Sequence, residues 1–184
     1  MTDENSKRIF RAKNGDVHAF GELYEQSYRE LYRYALYYLG SREEAEDAVQ
    51  ETALEAFRGI AQLKKETAFR SWLFAILAAR CKRHVAELIR LRNQTDITEL
   101  DIAIEGGSAQ QEQAILLWQL IAALDEEDRQ LVLLSVVGGF SGKEIAALLH
   151  RPEGTLRSRL HRTLKKLRSQ LEETEKGGDD HGKA

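Results

Sequence analysis

With one cysteine in 184 residues, no internal disulfide can form. Packing alone must hold the fold, and a reducing, cytoplasmic compartment suits such a chain. One proline and only 8% aromatics leave strands short of their usual residues, while Ala, Leu, Glu, Arg and Lys are plentiful, so an all-α protein is expected. No apolar run approaches the roughly 20 residues of a membrane span, and the N-terminal "MTDENSKRIF" is polar where a secretory signal is apolar. Catalytic constellations are missing as well. His18, His84, His150, His161 and His181 show no paired metal-ligand spacing, and Cys81 has no second cysteine beside it. The stretch "GGFSGKE" fails as a phosphate loop, because Val137 stands where the first glycine belongs and Glu144 where a hydroxyl should hold magnesium. The expectation is therefore no catalytic residue, no metal, no cofactor and no small-molecule substrate: not an enzyme.

What the chain does have is sorted charge. A formal balance of -3 conceals two acidic stretches, residues 41–55 with six acids and one Arg, and residues 93–112 with five acids and no base. Against them stand the basic stretches 80–92 and 151–168, the latter with seven Lys or Arg and one acid.

Turn and cap signals divide the chain into helices. Asp16 opens one that Gly40 closes, and Ser41 with Glu44 three residues on forms a capping box for the next. Ala45, Ala48, Val49, Thr52, Ala56, Phe57 and Ile60 then recur at spacings of three and four, the buried stripe. Phe20, Tyr24, Tyr28 and Tyr32 recur every fourth residue, as a bundle seam does. "AQLKKE" reads as a short loop, and Thr67 as the cap of a helix through residue 92. Periodicity lapses over 93–111, where acids, two glycines and a serine gather, so that segment is expected to be a flexible linker. A second domain follows over 112–171, with caps at Asp125 and at Ser141 paired to Glu144. The tail 172–184 is expected to be disordered. The fold class is thus two small helical domains joined by a flexible linker.

The motif that carries function is "SGKEIAALLHRPEGTLRSRLHRTLKKL": about nine helical residues, a turn of about three, and a longer basic helix, the pattern of a helix-turn-helix. Pro152 suits the first turn of the second helix, where its missing N–H breaks no bond. Leu156, Leu160, Leu164, Leu167 and Leu171 are expected to face the bundle, opposite Ile145, Leu148 and Leu149. Gly154, Thr155, Ser158, Arg162 and Lys165 then lie on the far side, with Arg157, Arg159 and His161 on the flanks. A face of donors suits the DNA major groove, where Arg reads guanine and flanking cations neutralise phosphates.

"AEDAVQE", "FRSWLFAI" and "EIAALLHRPEGTLRSRLHRTLKKLR", in that order, resemble regions 2 and 4 of bacterial RNA polymerase sigma factors of the extracytoplasmic-function group, over roughly residues 16–171. The resemblance implies a transcription initiation factor that binds core RNA polymerase, through the β′ clamp helices and the β flap, and reads promoter DNA. It assigns the -35 element to Arg157, Ser158, Arg159 and Arg162, with Lys165 beside them and Thr155 and Arg151 as phosphate contacts. It assigns the -10 element to the loop and helix over 61–83, where Leu63, Lys64, Lys65, Arg70, Lys82 and Arg83 stand. A cognate anti-sigma factor, often membrane-bound in the family, is implied too.

The residues support a polymerase partner independently. Opposite the buried stripe of the Ser41 helix lie Glu43, Asp47, Gln50, Glu51 and an apolar Leu54, a docking patch for a basic helix; the resemblance places the clamp helices there. The chain also departs from the family. Ala53 replaces a common aromatic, Ala79 an Asn, and "LKK" at Leu63 to Lys65 a usual aromatic-Arg-Gly, which removes a stacking platform and a base-edge amide. The acidic linker reads either as a solvated spacer or as a nucleic-acid mimic threading the polymerase channel. The rival function is a stand-alone helix-turn-helix regulator that binds duplex DNA as a dimer.

Overall fold

The computed structural model describes residues 3–92 and 109–178, and within them every regular element is helical. Eight α-helices appear: α1 (Asp3–Lys13), α2 (Val17–Leu39), α3 (Arg42–Gly59), α4 (Phe69–Arg92), α5 (Ala109–Ala122), α6 (Glu126–Val136), α7 (Gly142–Leu149) and α8 (Glu153–Gly178). Two compact units, Met1–Asp101 and Ile102–Ala184, divide them four and four. None of the described helices is long and apolar enough to cross a membrane. The linker proposed over 93–111 lies mostly outside the described residues, and its last three positions already belong to α5.

In the first unit the caps of α2 act as expected, while α3 makes only half of its expected box and α4 lacks its expected cap. Asp16 accepts from the Ala19 N–H at 3.0 Å, and Gly40 closes α2 at φ 80 with its N–H on the Leu36 carbonyl. The left-handed conformation there is one that glycine adopts without a Cβ penalty. Ser41 accepts from the Glu44 N–H at 3.3 Å, while the Glu44 carboxylate turns to His84 Nε2, 3.2 Å away on α4. Thr67 does not cap α4; it sits within a 3-10 turn, Glu66–Ala68, and α4 begins after it.

The core of this unit gathers Leu23, Leu31, Tyr34, Val49, Ala56, Leu73, Phe74 and Leu77. Tyr34 meets Phe74 edge to face at 5.7 Å. Thr52, buried on α3, donates its hydroxyl to the Ala48 carbonyl at 2.7 Å, which removes the cost of an unpaired buried polar group. The aromatic seam is only half internal. Phe20 is buried against Phe57 at 5.2 Å, but Tyr28 is exposed, and Tyr24, Tyr28 and Tyr32 form a ladder of neighbouring rings running out of the core.

α1 is a helix the sequence reading missed. It buries just Ile9 and Ala12, too short a pattern to stand out beside a polar N-terminus, and it matters because Lys13 Nζ donates to the Leu63 carbonyl at 2.9 Å.

The second unit closes around Leu124, Val132 and Leu167, with Leu120 and Leu160 packed against them. Gly138 ends α6 where no larger residue fits: a Cβ there would lie 2.8 Å from the Leu134 carbonyl oxygen and from the Phe140 ring. On α8 the buried positions are Leu156, Thr163 and Leu167, while Leu164 is 37% exposed. This corrects the expected all-leucine stripe. Thr163 takes the inward place because its hydroxyl donates to the Arg159 carbonyl at 3.0 Å and is thereby satisfied inside the bundle. The tail expectation is corrected for 172–178, since α8 continues through Gly178, while 179–184 lie outside the described residues. Glu172, Glu173, Glu175 and Lys176 are good helix formers, and Ser169 Oγ donates to Glu173 Oε1 at 3.3 Å.

His150 is the one described non-glycine residue at positive φ, at φ 52 and ψ 44, and it ends α7. A side chain there pays roughly 1–2 kcal/mol that glycine escapes, against glycine's entropic cost of about 0.5–1 kcal/mol. His150→Gly is therefore expected to raise stability by about 0.5–1 kcal/mol, read as a higher thermal or urea midpoint; a lower midpoint would show that the imidazole contributes something the backbone geometry does not.

Candidate nucleic-acid interface

The helix-turn-helix is built from its caps outward. Ser141 accepts from the Glu144 N–H at 3.3 Å and Glu144 Oε2 accepts from the Ser141 N–H at 2.8 Å, so both halves of the box are made. α7 runs two turns, buries Ile145 and keeps Leu148 and Leu149 half-buried. The left-handed step at His150 then reverses the chain, and the Arg151 N–H reaches back to the Ala146 carbonyl at 3.1 Å. Pro152 stands just before α8, one place outside the expected first turn, and its carbonyl accepts from the Leu156 N–H at 3.2 Å. A residue without an N–H suits that place, since the amide there has no intrahelical partner.

Most of the expected donor face is open. Thr155, Arg157, Ser158, Arg162 and Lys165 are exposed, as is Arg151 in the turn. Gly154, also exposed, has nothing within 4 Å of where a Cβ would stand, so close approach to the start of α8 is unobstructed. Arg157 pairs within the helix with Glu153 at 2.5 Å, Ser158 Oγ donates to the Gly154 carbonyl at 3.0 Å, and Arg151 Nε lies 3.6 Å from Glu127. These are surface contacts of the kind that a phosphate or a base edge replaces at little cost.

Arg159 departs from the expectation. Its side chain is 28% exposed and is spent inside the unit: Nε donates to Asp128, Nη1 to Glu127, and Nη2 to both Asp125 oxygens at 2.9 and 3.0 Å. The carboxylates, Asp128 foremost, hold the guanidinium still more firmly protonated. Asp125 does double duty, since it also accepts from the Asp128 N–H at 2.9 Å as the cap of α6. That backbone bond first, and Arg159 beside it, hold its carboxyl below the usual range. Sequence reading had no means to find this cluster, because 31 to 34 residues separate its members.

In the first unit the -10 candidates scatter. Lys64, Lys65, Lys82 and Arg83 are exposed. Arg70 is turned to Glu30, with contacts of 3.0 and 2.7 Å, and lies over the Phe74 ring at 5.3 Å. Leu63 is corrected: it is 6% exposed and belongs to the core, so it presents no face to a base. Beside the loop, Asn5, Ile9, Ser27, Thr67, Phe69 and Arg70 line a groove of about 410 Å³.

The docking patch is on the surface as expected. Asp47, Gln50 and Glu51 are exposed, and Leu54 stands 58% exposed among them. Glu51 carries a second duty, since Arg80 of α4 bonds it and also Glu55, the latter at 2.6 Å.

Residues 23–90 match the family Sigma-70 region 2, and residues 114–167 match Sigma-70, region 4. The ECF RNA polymerase sigma factor SigM of Mycobacterium tuberculosis strain H37Rv is 32% identical over 157 residues, covering 83% of this chain and 77% of that protein. The RNA polymerase sigma-H factor of Pseudomonas aeruginosa is 28% identical, covering 88% and 91%. Among solved structures, the sigma factor RpoE of Bartonella quintana, crystallised with the anti-sigma factor NepR, is similar in fold with a TM-score of 0.73 at 23% identity, covering 85% of this chain and 98% of that one.

The Asp125 geometry carries a sign. A carboxyl held below its unfolded value of 3.8 stabilises fully above that pH, and the contribution fades as pH falls through the folded value. Asp125→Asn retains a capping acceptor but cannot titrate. Melting between about pH 2 and 6 is expected to show a shallower acid-side loss in the variant than in the parent; identical slopes would remove Asp125 as a source.

Proposed function

The chain belongs to the sigma-70 family, in its extracytoplasmic-function group, and we propose from that membership that it binds core RNA polymerase and directs it to promoters by reading their -10 and -35 elements. The observation that carries this reading is the presence of both sigma regions in one chain, in order, with the outward side of α8 made of hydrogen-bond donors. A stand-alone dimeric regulator would leave the first unit, with its acidic α3 surface, without a task.

In this reading Ser158 and Arg162 address base edges of the -35 element, and Thr155, Arg157, Lys165 and Arg151 address its flanking bases and phosphates. Lys64, Lys65, Lys82 and Arg83 guide the -10 strand, with Arg70 joining once it leaves Glu30. The smaller share of stacking side chains at this loop shifts the balance there toward backbone contacts. Asp47, Gln50, Glu51 and Leu54 receive the polymerase, an acidic rim around one apolar contact. A cognate anti-sigma factor masks these surfaces when transcription is off, as NepR accompanies the Bartonella RpoE. The site of action is the cytoplasm, where polymerase and promoter are.

Transcription by core polymerase with and without this protein, on a promoter library, tests the reading: promoter-specific transcripts are expected only with it, and no gain would refute it. Two variants sharpen the test. Arg162→Ala is expected to cost about 1–3 kcal/mol of discrimination at a single -35 base pair, seen as relaxed preference there when the library is reselected. Asp47→Lys is the cleaner probe of docking, because reversing Glu51 would also set a cation against Arg80. It is expected to weaken core binding about tenfold, near 1.4 kcal/mol, with melting unchanged; unaltered affinity would move the docking surface elsewhere.

A further inference from the structure

Helix α8 meets its unit through two kinds of contact. Leu156, Thr163 and Leu167 bury one side of it, but aliphatic packing fixes burial better than it fixes rotation, since a leucine can repack after a small turn or slide. The second contact is directional. Arg159 lies at the border between the buried side and the donor face, and its planar fork is engaged along every edge by Asp125, Glu127 and Asp128. A guanidinium held this way tolerates little rotation before hydrogen bonds are lost. The acids are themselves anchored. Asp125 caps α6, and Arg129, one residue past Asp128, donates to the Ala122 carbonyl at the end of α5 at 2.5 Å and to the Leu124 carbonyl in the turn after it at 3.3 Å. One turn of sequence, 125–129, thus joins α5, α6 and α8.

We propose that Arg159 is a positioning residue: gripped by Asp125, Glu127 and Asp128, it sets the rotation and slide of α8 so that Ser158 and Arg162 reach base edges, and it makes no DNA contact of its own. The inference rests on the promoter-reading function above and adds to it three acids, at the cap and first turn of α6, that determine specificity without touching DNA.

The test uses the full chain in holoenzyme with core polymerase, a promoter selected by the parent protein, and the same duplex with its -35 element scrambled. Affinity for both is measured across a salt series for Arg159→Lys, Arg159→Ala, and the paired variant Glu127→Gln with Asp128→Asn. A phosphate contact by Arg159 would survive in Arg159→Lys, and its loss in Arg159→Ala would lower the slope of log affinity against log salt by about 0.9. A positioning fork behaves otherwise. All three variants are expected to lose about tenfold of the preference for the intact -35 element, and Arg159→Ala to keep the parental salt slope. The acid-neutralised pair, having shed two negative charges, is expected to bind the scrambled duplex no more weakly than the parent. Arg159→Ala added to the acid pair is expected to cost nothing further, because the interaction is already gone. Arg159→Lys and the acid pair are the variants that keep the fold, which melting curves verify. A slope change in Arg159→Ala, or full preference in the acid pair, overturns the proposal. A parent holoenzyme with no -35 preference overturns instead the function on which it rests.

Discussion

One helix has to satisfy two partners at once. α8 gives Leu156, Thr163 and Leu167 to the interior and Thr155, Ser158, Arg162 and Lys165 to solvent, so its rotation about its own axis decides both the stability of the second unit and what that unit can read. With about 100° between successive side chains, an error of one residue's worth would bury a guanidinium and expose a leucine. The steep cost of the first outcome explains why the setting is unique. The ion cluster at Arg159 refines the setting that burial chooses, and the left-handed step at His150 delivers the chain to it from α7.

The same economy appears in the first unit, where charges with structural work are separated from charges without it. On α3 the carboxylates nearest α4 are taken: Glu51 and Glu55 by Arg80, Glu44 near His84. On the outward side Asp47, Gln50 and Leu54 remain exposed. Asp47 and Leu54 there are held by no contact that the fold needs, which is why the docking proposal falls on them. The loop after α3 is held from behind, with Leu63 in the core and its carbonyl on Lys13, which leaves Lys64 and Lys65 standing outward on a fixed base.

Local signals in the chain proved legible because local physics sets them. Asp16, Gly40, Asp125, Ser141 and Glu144 act within three or four residues of themselves, and each appears where the sequence placed it. The largest misreadings, at Arg159 and Leu63, arose where a distant partner decided the outcome, and smaller ones at Thr67, Pro152 and Leu164 where two local choices lay close together. Arg159 has the same chemistry as Arg157 and Arg162, and only acids more than thirty residues away distinguish it. Leu63 and Leu164 exchange roles against expectation, the first inward through its place beneath α1, the second outward because Thr163 could satisfy its hydroxyl on the helix itself. α1, with two buried side chains, had too little pattern to register, and the continuation of α8 to Gly178 shows that a polar tail rich in Glu can still prefer a helix.

The central claim is that the outward edge of α8 lies in the groove of the upstream promoter element. The chain suits a direct measurement, because its one cysteine, Cys81, is buried and its thiol is pushed up to about 12 by that burial, so an added cysteine can be labelled alone. An iron chelate on Arg157→Cys, in holoenzyme on a selected promoter, is predicted to cut DNA in a cluster within the -35 element, and the same chelate on Val136→Cys of α6 to give a different pattern or none. Uniform cutting from both positions, or none at the -35 element from α8, would contradict the account.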